Sequence, residues 1–115
     1  MAWRHRLPRT ARLLSGAQFK AVFAARRSCG NEFFRVHHAP SDQARLGMAV
    51  SRRVSKRAVD RNRIRRQIRE SFRLRRESLE ARDYVVVARS AARQADRRAL
   101  RDKLEQLWQR FSDNS

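Results

Sequence analysis

Between positions 58 and 75 this 115-residue chain combines two demands that few architectures meet together. Taking roughly 100° per residue from Ile64, Ile68 falls at about 40° and Phe72 at about 80°, one apolar stripe along a helix. Asn62, Arg66, Arg69 and Arg73 gather on the opposite side, around roughly 180°. Such a helix must press its stripe against an apolar layer and hold its arginines outward as a rigid array. Like charges at Arg61/Arg65, Arg65/Arg69 and Arg69/Arg73 cost an isolated helix roughly 0.2–0.5 kcal/mol per pair, and only Asp60 and Glu70 stand near enough to relieve them. Cations near the first turn also oppose the helix dipole. The pattern asks for a sheet on one side and an external anion on the other; the plain alternative is a solvated arginine-rich face.

The sheet is visible on either side of that helix. Residues 32–51 alternate in two runs joined by Pro40-Ser41-Asp42, which supplies turn chemistry. The first run places Phe34, Val36 and His38 on one side and Phe33, Arg35 and His37 on the other. The second places Leu46, Met48 and Val50 inward, with Arg45, Gly47, Ala49 and Ser51 outward. The pair reads as an antiparallel hairpin. Residues 83–89 carry a continuous Tyr-Val-Val-Val-Ala run of the kind buried on both faces. A first helix is predicted over 15–25: Ser15 is an N-cap, Gln18 its capping-box partner, Leu14 a staple onto Phe19, and Phe19, Val22 and Phe23 follow at helical spacing. A last helix over 96–111 starts at Asp96 and carries Leu100, Leu104, Leu107, Trp108 and Phe111 on one stripe. Residues 1–14, with Arg4, Arg6, Arg9, Arg12 and Pro8, read as a basic arm. The order α-β-β-α-β-α predicts a single α+β domain, a two-layer α-β sandwich.

Charge decides the class of partner. The chain has 29 Lys+Arg against 11 Asp+Glu, a formal +18, and residues 52–76 alone hold twelve basic and two acidic residues. A polyanion that neutralises this excess is the leading partner: nucleic acid first, an anionic membrane surface second, acidic protein third. Arginine dominates, and its planar fork suits bidentate phosphate contacts and stacking on bases. Cys29 is the single cysteine and the histidines are His5, His37 and His38, so no internal disulfide and no zinc-finger spacing is available. A reducing cytosol is the natural setting. No apolar run approaches the roughly 20 residues of a membrane span, and the N-terminus lacks a signal-peptide core. The three glycines form no phosphate-cradling motif. The acids are scattered, and His37 and His38 point to opposite strand faces, so the chain itself is not expected to be a catalyst.

The string Arg61-Asn62-Arg63-Ile64-Arg65-Arg66-Gln67-Ile68-Arg69-Glu70-Ser71-Phe72-Arg73 closely resembles the RNR signature of the bacterial ribonuclease P protein family. Arg45-Leu46-Gly47-Met48-Ala49-Val50-Ser51-Arg52-Arg53 is similar to that family's strand and basic turn, with Arg52-Arg53 in place of a commoner Lys-Lys. The likeness extends to Arg12-Leu13 with Phe19 and Phe23, to Asp83-Tyr84-Val85-Val86-Val87, and to Leu104-Glu105-Gln106-Leu107-Trp108.

The resemblance implies a ribonucleoprotein endoribonuclease that removes the 5′ leader of precursor tRNA in the bacterial cytoplasm, with the catalytic site in its RNA subunit. It further implies Mg2+ held chiefly by RNA phosphates, a left-handed crossover between parallel strands, and a very short extra strand near residues 27–29. It assigns RNA contact to Arg61, Asn62, Arg63, Arg65, Arg66 and Arg69. Arg52, Arg53, Lys56, Arg57 and Arg73 carry the same charge in the same stretch and join the expected RNA-binding set. By the same resemblance the leader cleft involves Phe19, Phe23, Arg35, His37, Ala49 and Ser51, with His37 standing where many family members carry a larger aromatic. The residues themselves fit that assignment, since the strand face bearing Phe33, Arg35 and His37 beside Gly47, Ala49 and Ser51 mixes aromatic, cationic and small groups, as a single strand that stacks would require. An ordinary solvent-facing sheet side, with Phe19 and Phe23 in the core, is the alternative. A structural RNA-binding protein of ribosomal type is the second reading of the whole chain.

Overall fold

The computed structural model describes residues 7–12 and 15–112; Arg4, Arg6 and the expected staple residue Leu14 lie outside them. Helix α1 spans Gly16–Ala24, and its capping box forms as expected: the Gln18 amide donates to Ser15 Oγ and the Ser15 amide to Gln18 Oε1, both at 3.1 Å. Just past its C-cap Ala25, Arg26 has a φ of 55°, in the left-handed region, and turns the chain toward the sheet. There Ser28–Gly30 forms β1, the short strand expected near 27–29. Strands β2 (Phe34–Pro40), β3 (Arg45–Ala49) and β4 (Arg82–Ala88) follow, with α2 (Ala58–Arg75) between β3 and β4 and α3 (Arg97–Trp108) after them.

The sheet order is β1-β2-β4-β3, which corrects the predicted hairpin. β2 and β3 do not pair; β4 lies between them, antiparallel to β2 and parallel to β3. The physical reason lies in the strands. β4 is apolar on both sides and is buried best at the centre of the sheet. β3 reaches it through α2, the kind of long crossover that a parallel pair requires.

Register fixes what each face shows. Reading across β2, β4 and β3, one face carries the rows His38–Tyr84–Leu46 and Val36–Val86–Met48; the other carries Ala39–Asp83–Arg45, His37–Val85–Gly47 and Arg35–Val87–Ala49. The first face is closed by α2 and α3. Ile64, Ile68, Phe72, Leu100, Leu104, Leu107 and Trp108 pack there against Phe34, Val36, Leu46, Tyr84 and Val86. Each fully buried apolar side chain of this size contributes about 1.5–3 kcal/mol. Phe72, Tyr84 and Trp108 meet edge to face with ring centroids 5.6 to 6.1 Å apart. The indole N–H of Trp108 is satisfied by Ser71 Oγ at 2.9 Å, and that hydroxyl donates to the Ile68 carbonyl. Among the described residues the second face is covered by α1, whose Val22 buries against Val85 while Phe19, Ala39 and Val87 stay partly buried around them.

Two local expectations change. The stretch read as a free basic arm is anchored over residues 7–12: Leu7 and Ala11 are buried in the main core, Arg9–Ala11 form one 3-10 turn, and Arg12 bridges to Leu46 beside the outer edge of β3. Two apolar residues among the arginines outweigh the charge pattern there. Phe33 does not share a face with Arg35 and His37. Asn31 Oδ1 accepts the amides of both Phe33 and Phe34, bending the chain before β2 begins, so that Phe33 packs against the main core with Lys103 above its ring.

Candidate nucleic-acid interface

Helix α2 starts from a tightly built approach. Ser55 is 2% exposed; its Oγ accepts the Arg57 amide at 3.1 Å and donates to Asp60 Oδ2 at 2.8 Å, doing the capping work that the Arg57 side chain does not do. This bond, reinforced by Arg57, Arg63 and Arg93, holds the Asp60 carboxyl below its ordinary pKa. The stripe of Ile64, Ile68 and Phe72 is fully buried, so the rotation expected from the sequence is the one observed.

The arginines of α2 divide into two groups. Arg61 donates to the carbonyls of Ser55 and Lys56, Arg63 to those of Ala95 and Arg93, and Arg65 to that of Val50 and to Asn62 Oδ1. These three guanidinium groups tie α2 to the β3–α2 approach and to the segment before α3. Arg73 is committed to Glu70 by a bidentate pair, with bonds of 3.0 and 2.9 Å, which holds the glutamate's pKa down and raises that of the arginine. Asn62, Arg66 and Arg69 are exposed on the outer side, and so are Arg52, Arg53, Lys56 and Arg57 on the approach. The structure thus brings the predicted basic set together, part of it as scaffold and part as a free cationic face.

The predicted cleft residues also meet, on the second sheet face. Val87 stands between Arg35 and Ala49 in one row, and Val85 between His37 and Gly47 in the next. Phe23 projects from α1 at 40% exposure and meets the His37 ring edge to face at 4.7 Å, whereas Phe19 is half-buried against the α1 core. Arg35 crosses the edge strand to donate to Ser28 Oγ at 3.0 Å, passing Gly30, where a Cβ would approach its guanidinium carbon to 3.4 Å and the Phe34 carbonyl to 3.0 Å. Desolvation and then the Arg35 charge lower the pKa of His37. Ser51 closes the cleft at its far end, with its Oγ accepting the Arg53 amide. An open depression of about 500 Å³ lies there, lined by Glu32, Ser51, Arg53, Val87, Arg89 and Ser90 among others, and so touches the sheet face at Val87 and the basic approach at Arg53.

Among the described residues no group of three or more His, Cys, Asp or Glu could hold a metal ion, and no helix is long and apolar enough to cross a membrane. Arg89 and Arg93, which wall the depressions beside Arg53, were not singled out by sequence reasoning. They lie outside any local motif, and only the fold brings them to the approach.

The Ribonuclease P family model matches residues 7–112, which takes in every element just described. The chain belongs to the ribonuclease P protein family. It is 41% identical to the ribonuclease P protein components of Thioalkalivibrio sulfidiphilus, over 91% of this chain and 89% of that one, and of Escherichia coli, over 90% and 88%. Among solved structures, the Staphylococcus aureus RNase P protein superposes with a TM-score of 0.82 at 30% identity, covering 86% of this chain and 93% of that one. The Thermotoga maritima RNase P protein superposes with a TM-score of 0.78 at 30% identity, covering 88% and 97%. Membership places the chain in the ribonuclease P holoenzyme and in tRNA processing, and it implies partnership with the ribonuclease P RNA.

Proposed function

We propose that this chain grips the catalytic RNA of ribonuclease P through the outer face of α2 and its approach, and holds the 5′ leader of precursor tRNA in the cleft beneath α1. The observation that carries this reading is the continuity of the two surfaces. A floor of Arg35, Val87 and Ala49, with Phe23 and His37 beside it, runs through Ser51 into the exposed cations Arg52 and Arg53. A single strand lying in the cleft with its bases against Phe23 would carry its backbone toward the basic approach. A bound duplex would meet Arg66 and Arg69, which have no acidic salt-bridge partner among the described residues.

In this reading the reaction is metal-assisted hydrolysis of a phosphodiester in the bacterial cytoplasm, and the reacting centre belongs to the RNA. The donor set supports assigning Mg2+ to RNA phosphates, because the carboxylates near the cationic face are engaged: Asp60 by Ser55, Glu70 by Arg73 and Glu32, which lines the depression beside Arg53, by Lys103. The protein would bind substrate and screen phosphate repulsion between the two RNAs.

The test is reconstitution. At low Mg2+ the chain added to a bacterial ribonuclease P RNA is expected to restore cleavage of precursor tRNA at the leader junction. Binding to that RNA without stimulated cleavage would instead mark a structural RNA-binding protein.

A further inference from the structure

The cationic face does not end at α2. Helix α3 runs beside it, joined by Arg63 to the Ala95 carbonyl, by Arg101 Nε to Gln67 Oε1 at 2.9 Å, and by Trp108 to Ser71. Gln67 lies inside the arginine-rich motif yet is only 5% exposed, and its side-chain carbonyl is aimed at Arg101. That bond uses Nε alone, and Arg101, half-buried, makes no other side-chain hydrogen bond among the described residues. Arg97 stands one turn earlier on the same side, exposed and without an acidic partner among the described residues. Glu70 feels the charge of Arg101 as well as that of Arg69, so Arg101 lies within electrostatic reach of that carboxylate.

This arrangement works against the fold. Arg97 and Arg98 open α3, where cations oppose the helix dipole, and Arg97 and Arg101 repel each other at i,i+4. A buried glutamine that steadies one of two repelling arginines is better explained by an anion outside than by packing within.

We propose that Arg97 and Arg101 extend the RNA footprint, so that α2 and α3 together grip structured RNA, with phosphates of one strand on Arg66 and Arg69 and those of a neighbouring strand on Arg97 and Arg101. Packed helices lie about 8–10 Å apart, and successive turns advance about 5.4 Å, so the two rows form a shallow trough on the scale of a phosphate ribbon. Gln67 acts as a positioning residue for Arg101. The inference rests on the functional reading above, with the catalytic RNA as ligand.

The experiment measures affinity of the full chain for a bacterial ribonuclease P RNA over a range of salt, with an unrelated structured RNA of equal length as competitor. For Arg97→Gln/Arg101→Gln the slope of log affinity against log salt is expected to fall by about 1.4–1.8, as for two lost phosphate contacts, and affinity at low salt to fall tenfold or more. Arg97→Gln alone, at a side chain with no internal partner, should remove about half of the slope change. Arg110→Gln, the loss of a single charge beyond the far end of α3, serves as the reference per charge removed. Variants indistinguishable from that reference, while the unaltered chain binds its RNA selectively, overturn the two-helix footprint alone. An unaltered chain that shows no preference over the competitor overturns the functional reading and this inference with it.

Discussion

The two faces of the sheet are built from the same three long strands and end in opposite states. On one, Val36, Leu46, Tyr84 and Val86 vanish under α2 and α3. On the other, Gly47 and Ala49 replace bulk with flatness, Arg35 and His37 bring polarity, and among the described residues the nine of α1 lie above. A strand with large apolar groups on both sides, β4, is needed at the centre for this to work, because it alone must satisfy both environments. The closed face stores stability; the open one leaves a floor on which a flexible chain can lie. The arginines repeat the same division, with Arg61, Arg63 and Arg65 spent on backbone carbonyls and Arg66 and Arg69 left for a partner.

Removing bulk from the closed face should have the largest effect. Phe72 is fully buried between Tyr84 and Trp108, and Phe72→Ala is expected to cost about 3–5 kcal/mol in urea unfolding. A loss below about 1 kcal/mol would mean that the closed face is not where the fold is held together.

How much of this was legible in the sequence follows the range of the interactions. The bounds of α2, the rotation of its stripe, the Ser15 capping box and the Asp96 cap are local, and residue spacing revealed them. Strand pairing is not local. Residues 32–38 and 45–51 both alternate and flank a good turn, so they look like partners, and nothing near them tells that β4 will come between. The site was legible to the same depth: helical angle separates outward arginines from inward isoleucines, but it cannot show that Arg63 reaches Ala95 or that Arg101 reaches Gln67, since both partners arrive through the fold. Phe33 was misplaced because the Asn31 side-chain oxygen, accepting the amides of Phe33 and Phe34, outweighs strand alternation.

The open face should answer differently to the same kind of truncation. Phe23 is 40% exposed and touches His37, so Phe23→Ala is expected to cost less than about 1 kcal/mol of stability. Its effect should fall on substrate choice. Affinity of the reconstituted holoenzyme for leader-bearing precursor should drop about tenfold, or about 1.4 kcal/mol, the low end of a stacked base, while affinity for mature tRNA is unchanged. Equal losses for both ligands would assign Phe23 to the core and erase the distinction between the faces.

The smallest effect separates two neighbouring histidines that the sheet sends to opposite faces. Both have pKa values below the ordinary 6.5, His37 through desolvation and Arg35, His38 through desolvation, Arg82 and Arg27 against a weaker opposing pull from Glu80. For each, the unfolded chain takes up a proton more readily than the folded one. Stability of the free protein should therefore be full above pH 6.5 and fall as pH drops through the lowered pKa. Leader binding should run the other way, and only for His37. A phosphate beside that ring favours its charged form, so binding takes up a proton and affinity rises as pH falls below 6.5. His38 packs against Phe111 on the closed face, with ring centroids 4.8 Å apart, and meets no ligand in this reading. Leader affinity measured from pH 7.5 to 5.5 should strengthen a few-fold for the unaltered holoenzyme and for His38→Gln, and stay flat for His37→Gln. An acid-strengthened affinity that survives in His37→Gln would place the titrating group elsewhere and remove His37 from the cleft.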